Sequence, residues 1–213
     1  MKPSVARLGV GGPVGSGKTA LLECLVPLLT QRGIEVAVVT NDLLTQEDAD
    51  RLKRKGFLPQ ERIVGVETGS CPHTAIREDP TMNLLAIAAL EQQYPQLDLI
   101  FVESGGDNLA STFSYDLIDA YIFVLDVGAG DDIPRKNGPG FLQADLVVIN
   151  KIDIAPYVGA DLEVIRREAA ERRRHKPTAY TNCKTGEGLE QVLDFIDEKL
   201  LFHRSNNPRT DVA

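Results

Sequence analysis

Three short stretches carry residue types whose spacing suits particular chemistry. GPVGSGKT, residues 12–19, fits Gly-x-x-x-x-Gly-Lys-Thr between an apolar run and a helix-length segment. Glycines at such positions let successive backbone N–H groups converge on phosphate oxygens. Gly12, Pro13, Val14, Gly15, Ser16 and Gly17 would form the cradle, with Lys18 on the β- and γ-phosphates and Ala20 just inside the helix. Thr19 would place its hydroxyl on Mg²⁺. The helix that opens here adds the positive end of its dipole. A glycine-rich turn with an incidental lysine is the bland alternative, and motif and context together argue against it.

The second stretch is VVINKID, which sets Asn150, Lys151 and Asp153 directly behind an apolar run. A carboxylate at Asp153 can accept two parallel hydrogen bonds, from N1–H and the 2-amino group of guanine. Adenine lacks that amino donor and turns a lone pair toward the carboxylate, so the site discriminates by leaving polar groups unmet. Asn150 would face the opposite edge of the base, and the Lys151 stem would lie along the ring. TNCKTGEG, residues 181–188, follows the next apolar run, where a loop backing the base belongs; Cys183 and Lys184 are its candidates. An ordinary strand-to-helix turn is equally compatible there. GTP is therefore the expected nucleotide.

Acidic residues close several apolar runs. Asp42 and Glu67 are the candidate Mg²⁺ contacts beside Thr19, since Mg²⁺ takes oxygen ligands and keeps several waters. Glu103 and Asp107, in ESGGD, are candidates to orient water or to register loss of the γ-phosphate, with Lys18 as the fixed catalytic charge. Each acid alone also fits a solvated surface group or a helix cap.

The third stretch is ETGSCPHTAIRED, in which Cys71 and His73 flank a proline. A thiolate and an imidazole both bind late transition metals, but two ligands do not close a site. Taken alone, the pair reads either as a buried cysteine beside a structural histidine or as half of a metal site.

These residues need a scaffold. Apolar runs at VARLGVGG, EVAVVTND, RIVGVET, LDLIFVE, AYIFVLDVG, DLVVIN and TAYTN read as strands. Between them, GKTALLECLVPLLTQRG, TQEDADRLKRKG, DPTMNLLAIAALEQQYP, DLEVIRREAAERRRH and EGLEQVLDFIDEKLL read as helices, with Gly33 and Gly56 as stops and Thr45 as a cap. Such alternation predicts an α/β fold: a doubly wound, mostly parallel sheet with helices on both faces. Its ligands belong at the carboxyl ends of the strands. A single domain is expected over residues 1–202, with a flexible tail over 203–213.

The 213 residues suffice for one sizeable core. A net charge of −8 argues against general nucleic-acid binding. No apolar run is long enough to span a membrane, no signal peptide is legible, and three scattered cysteines make no disulfide framework. A cytoplasmic setting is expected. Cys24 falls in the apolar pattern of the first helix and is read as core, and Cys183 as packing rather than reacting. His175 and His203 are read as surface groups, and the basic RREAAERRRHK as a solvated helix end. IPRKNGPG is read as a turn-rich loop whose Arg135 and Lys136 are either solvated or contact a phosphate or partner.

With these motifs in hand, the chain resembles the urease accessory GTPases, nickel-handling members of the SIMIBI class of P-loop GTPases. VTNDLLTQEDA, ESGGDNLASTFS, IPRKNGPG, NKIDIAPYVGADLEV and TNCKTGEG each resemble a family segment, in order and over nearly the whole chain. The Cys-Pro-His block is the most specific; the related hydrogenase-maturation GTPases carry a different cysteine–histidine pattern there. The resemblance implies a cytoplasmic GTPase that forms a homodimer around Ni²⁺ when loaded with GTP and delivers nickel to apo-urease. It also implies partners: a nickel chaperone and a scaffold pair among the urease accessory proteins. Two-fold symmetry would join Cys71 and His73 of each copy into a set of two thiolates and two imidazoles. That set suits square-planar Ni²⁺ or tetrahedral Zn²⁺, and nickel is chosen by resemblance. No His-rich extension opens the chain, so auxiliary nickel storage is not expected. Pro13 and Val14 stand where a deviant phosphate loop carries an extra lysine.

Glu67 and Cys71 are four residues apart, within about 13–14 Å even when extended. Loss of a γ-phosphate sensed near Glu67 would therefore loosen the segment holding the metal ligands. Three other readings compete: nickel insertion into another enzyme such as hydrogenase, a small-molecule P-loop kinase, and a non-catalytic metal-binding module.

Overall fold

Alternation inside each strand decides the architecture. In β1 (Ala6–Gly11), β2 (Val36–Asp42) and β4 (Leu99–Glu103), Leu8, Val10, Val36, Val38, Leu99 and Phe101 face one apolar layer, while Ala37, Val39, Ile100 and Val102 face the other. β5 (Ala120–Asp126) and β6 (Leu146–Asn150) divide in the same way. A strand apolar on both sides needs cover on both sides, and parallel pairing with helical crossovers supplies it. The computed structural model describes residues 5–42, 47–67, 74–106, 112–136, 138–174 and 176–201.

With β3 (Ile63–Glu67) and β7 (Thr178–Tyr180), the strands form one sheet in the order β3-β2-β4-β1-β5-β6-β7, every neighbouring pair parallel. On one face pack α1 (Lys18–Gln31), through Leu21, Leu22, Leu25 and Leu29, then α2 (Glu47–Lys55) and α8 (Leu189–Ile196). On the other lie α3 (Thr81–Gln93), through Ile87 and Leu90, and α7 (Leu162–Arg173), through Ile165 and Ala169. Each fully buried Leu or Ile contributes about 1.5–3 kcal/mol. The two layers thus clamp the sheet from both sides, and its C-terminal edge is left to bear the loops. The expected helix stops hold: Gly33 and Gly56 both adopt positive φ, at 79° and 69°.

Two expectations need correction. The IPRKNGPG segment is not simply a loop. It forms two short helices, α4 (Ile133–Lys136) and α5 (Pro139–Gln143), the second opened by a proline whose fixed φ suits a first helical position. There Arg135 pairs with Glu168 of α7 and Lys136 with Asp132. Nor is the basic end of α7 wholly solvated. Arg173 is buried and donates to the carbonyls of Phe141, Ala144, Asp145 and Pro177. Burial pushes its guanidinium down to about 10, still far above neutral pH, so it stays charged and ties α5 to the start of β6. The short α6 (Ala155–Val158) follows the turn after β6.

Thr45, His175 and the tail from residue 202 lie outside the described residues. Among the described residues no helix is long and apolar enough to cross a membrane.

Candidate nucleotide-binding site

β1 ends at Gly11 and α1 begins at Lys18, so the glycine-rich loop spans the centre of the sheet's C-terminal edge. Gly17 has φ 100°, and a Cβ there would stand 2.3 Å from Asn150 Nδ2. Only glycine allows this approach, which joins the phosphate loop to the end of β6. Asn150 is buried; its amide donates to Ser16 O at 3.1 Å, and its carbonyl oxygen accepts from Thr181 Oγ1 at 3.1 Å. The asparagine therefore braces two loops while its neighbours face the cleft.

Lys151 adopts the left-handed conformation, φ 60° and ψ 37°. For a non-glycine residue this costs about 1–2 kcal/mol. Its ammonium offsets the strain, donating to Gly15 O at 2.5 Å and lying 3.6 Å from Asp126 Oδ2. The same turn brings Asp153, an exposed carboxylate, to the mouth of a cleft of about 140 Å³. Gly17, Ala20, Asn150, Lys151, Asn182, Cys183 and Lys184 also line it. The loop after β7 is held by Lys184 N donating to Asn182 Oδ1 at 2.9 Å, and by a bridge between Asn182 and Glu187.

On the opposite flank, Lys18 is buried and donates to Pro13 O at 3.2 Å, so its charge is folded back over the loop. Gly106 presses on it: a Cβ would come within 2.9 Å of both Lys18 Nζ and Val14 Cγ2. Thr19 donates through Oγ1 to Glu103 Oε1 at 2.6 Å, and both residues are buried. Glu103 thus meets the threonine hydroxyl that was assigned to Mg²⁺. Asp42 and Glu67 end adjacent strands in register, and Glu67 is exposed. Asp107, Cys71 and His73 lie outside the described residues. Among the described residues no group of three or more His, Cys, Asp or Glu lies within reach of one metal ion.

Sequence reasoning missed three participants. Asn41 and Asn83, both fully buried, pair amide to amide between the end of β2 and α3. Asn41 also donates to Glu103 O at 2.9 Å and Asn83 to Ala75 O at 2.9 Å, which reaches the turn of residues 74–78. Their only sequence signal is an asparagine inside an apolar helix. The third is Cys24, read as core: it is half-buried, and its thiol donates to Cys183 O at 3.2 Å. The neighbouring Cys183 side chain holds the Cys24 pKa down, to about 7, while Cys24 and burial push that of Cys183 up.

A glycine-rich loop between β1 and α1, at the carboxyl edge of a doubly wound parallel sheet, defines a P-loop nucleotide-binding protein. The CobW/HypB/UreG nucleotide-binding domain matches residues 6–179. The chain belongs to that family and, within it, to the urease accessory UreG proteins. It is 75% identical to urease accessory protein UreG of Trichodesmium erythraeum over 93% of this chain and 94% of that one. To urease accessory protein UreG 2 of a Bradyrhizobium it is 57% identical, over 94% of each chain. Among solved structures it is similar to HypB from Helicobacter pylori in complex with nickel, with TM-score 0.77 and 27% identity over 93% of this chain and 88% of that chain.

Proposed function

We propose that the chain is a GTP-hydrolysing nickel metallochaperone that pairs with a second copy around Ni²⁺ in the GTP state and delivers the ion for urease maturation. The observation that carries this reading is the base cleft. Asp153 stands at its mouth, and Asn150 ties it to the phosphate loop. Similarity to urease accessory proteins over nearly the whole chain supports the destination of the metal, and the nickel complex of a HypB relative supports its identity.

Guanine specificity comes from the Asp153 carboxylate, with the Lys151 stem along the ring and Cys183 and Lys184 behind it. Lys18 turns from Pro13 O toward the β- and γ-phosphates. The Thr19 hydroxyl, Asp42 and Glu67 offer the hard oxygen ligands that Mg²⁺ takes, and the ion would supply charge neutralisation during phosphoryl transfer. Glu103 then holds Thr19 or an attacking water in place, with Asp107 nearby in sequence.

Cys71 and His73 are the proposed nickel ligands, two from each copy. The working partners are the nickel chaperone and scaffold pair of urease maturation and apo-urease itself, in the cytoplasm. Size-exclusion chromatography with mass measurement tests the reading. Doubling of mass with a GTP analogue plus Ni²⁺, and with neither alone, is the expected result. Tight nickel binding by a GDP-loaded monomer would overturn it. Activation of apo-urease rather than apo-hydrogenase by the loaded dimer decides the target enzyme.

A further inference from the structure

We propose that Cys24 and Cys183 are a modification site, a thiol pair that a hydroperoxide converts to a disulfide and that thereby closes the guanine cleft. The inference rests on the reading of that cleft as the base site.

The two residues are 159 positions apart in sequence, yet Cys24 Sγ lies 3.2 Å from the Cys183 carbonyl oxygen, and both side chains pack against the same apolar layer. Cys24 stands one helical turn beyond Ala20, and Ala20 and Cys183 both line the cleft. Neither thiol is sealed in the core: both are partly exposed, and Cys183 lines the cleft itself. The neighbouring Cys183 side chain favours the Cys24 thiolate, the form that attacks peroxides.

The chemistry balances with hydrogen peroxide as the oxidant. The Cys24 thiolate attacks one peroxide oxygen, the O–O bond breaks, and hydroxide leaves and takes up a proton, giving a sulfenic acid. The Cys183 sulfur then attacks the Cys24 sulfur; an S–S bond forms, the S–O bond breaks, and a second water departs. Two thiols and one peroxide thus become one disulfide and two waters. A small thiol or dithiol reverses the bond by exchange.

Joining the two sulfurs at the bond length of about 2.05 Å ties the Cys183 backbone, whose carbonyl already meets Cys24 Sγ, to α1. Asn182 and Lys184 must follow, because Asn182 Oδ1 and the Lys184 amide are joined and Asn182 is bridged to Glu187. The wall of the cleft therefore moves as a unit.

The test uses the full chain carrying Cys71→Ser, so that Cys24 and Cys183 are its only thiols. Treatment with hydrogen peroxide should yield a Cys24–Cys183 linked peptide in a non-reducing digest. Affinity for a fluorescent GDP should fall about tenfold or more, equivalent to about 1.4 kcal/mol, and return with dithiothreitol. Bound GDP should slow formation of the link. Adding Cys24→Ser, with Cys24→Ala as a second replacement, should abolish both the link and the loss of affinity. Reduced protein that binds GDP but forms no such link, or forms it with affinity unchanged, overturns the inference. Reduced protein that fails to bind guanine nucleotides defeats the reading of the cleft instead.

Discussion

Asn41 and Asn83 face each other amide to amide in the interior, each donating to the other's carbonyl oxygen, at 3.1 and 2.7 Å. Their remaining donors reach Glu103 O and Ala75 O. One continuous polar chain therefore joins the end of β4, where Glu103 holds Thr19, to the turn that follows the Cys-Pro-His segment. A reciprocal pair with every donor engaged is stiff, because any shift of one partner strands a buried polar group.

Asn83→Ala should lower the stability of the nucleotide-free protein by about 2–4 kcal/mol, since the Ala75 carbonyl and both Asn41 amide groups that met Asn83 lose their partner without water to replace it. Chemical denaturation measures this. A double-mutant cycle with Asn41→Ala should give a coupling energy of about 0.5–3 kcal/mol. Simple additivity would show that the pair does not act as a unit.

Asp153→Asn should weaken GDP and GTP binding on the order of a hundredfold, because a carboxamide turns a donor toward the N1–H and 2-amino donors of guanine. Xanthosine diphosphate, which has a carbonyl oxygen at position 2, should gain affinity for the same variant. Competition against a fluorescent nucleotide reads both changes.

Thr19→Ala should act twice. In the nucleotide-free protein it removes the hydroxyl that Glu103 accepts from in a buried place, costing about 1–3 kcal/mol in a thermal melt. With GTP and Mg²⁺ it should slow single-turnover hydrolysis on the order of a hundredfold or more, as loss of a positioned transition-state contact does. Thr19→Ser, which keeps the hydroxyl, should restore most of each.

Cys71→Ala and His73→Ala should each abolish nickel-dependent doubling of mass while leaving fluorescent GDP affinity within about twofold, because GDP lacks the γ-phosphate through which the metal segment is coupled to the nucleotide. Equilibrium nickel titration alongside mass measurement separates loss of metal from loss of nucleotide.

Alkylation of Cys24 by iodoacetamide should rise with pH around a midpoint near 7, since the thiolate is the nucleophile and the Cys183 side chain stabilises it. With Cys183→Ala the midpoint should move upward, toward the free value of about 8.5. At pH 7 the variant should therefore react more slowly than the parent. Peptide mapping over a pH series reports the rate at Cys24 alone.

What the sequence disclosed was local. The phosphate loop and the Asn150-Lys151-Asp153 triplet are contiguous, their glycines and spacing dictate a shape, and apolar runs on either side place them at strand ends. The seven strands were legible because residues such as Val38 and Val39 are apolar on both sheet faces. The Asn41–Asn83 pair was not legible, since two isolated asparagines in apolar elements reveal a partnership only after folding brings them together. Arg173 was misread for a similar reason. A run of arginines at a helix end looks solvated until the carbonyls of Phe141 and Pro177 are seen converging on one of them. The Cys24–Cys183 contact bridges the first helix and the last strand's loop, beyond the reach of any motif.

The sheet has a middle member, β1, with three strands to either hand. The strands on one side, β2, β3 and β4, end in Asp42, Glu67 and Glu103; on the other, β6 leads into the loop of Lys151 and Asp153, and β7 into that of Cys183. Under the proposed function, a nucleotide lies astride this centre, its identity read by one wing and its phosphate count by the other. Hydrolysis then rewrites the message on a single wing while the grip of its opposite number persists, and the spent nucleotide remains aboard after the cargo has gone.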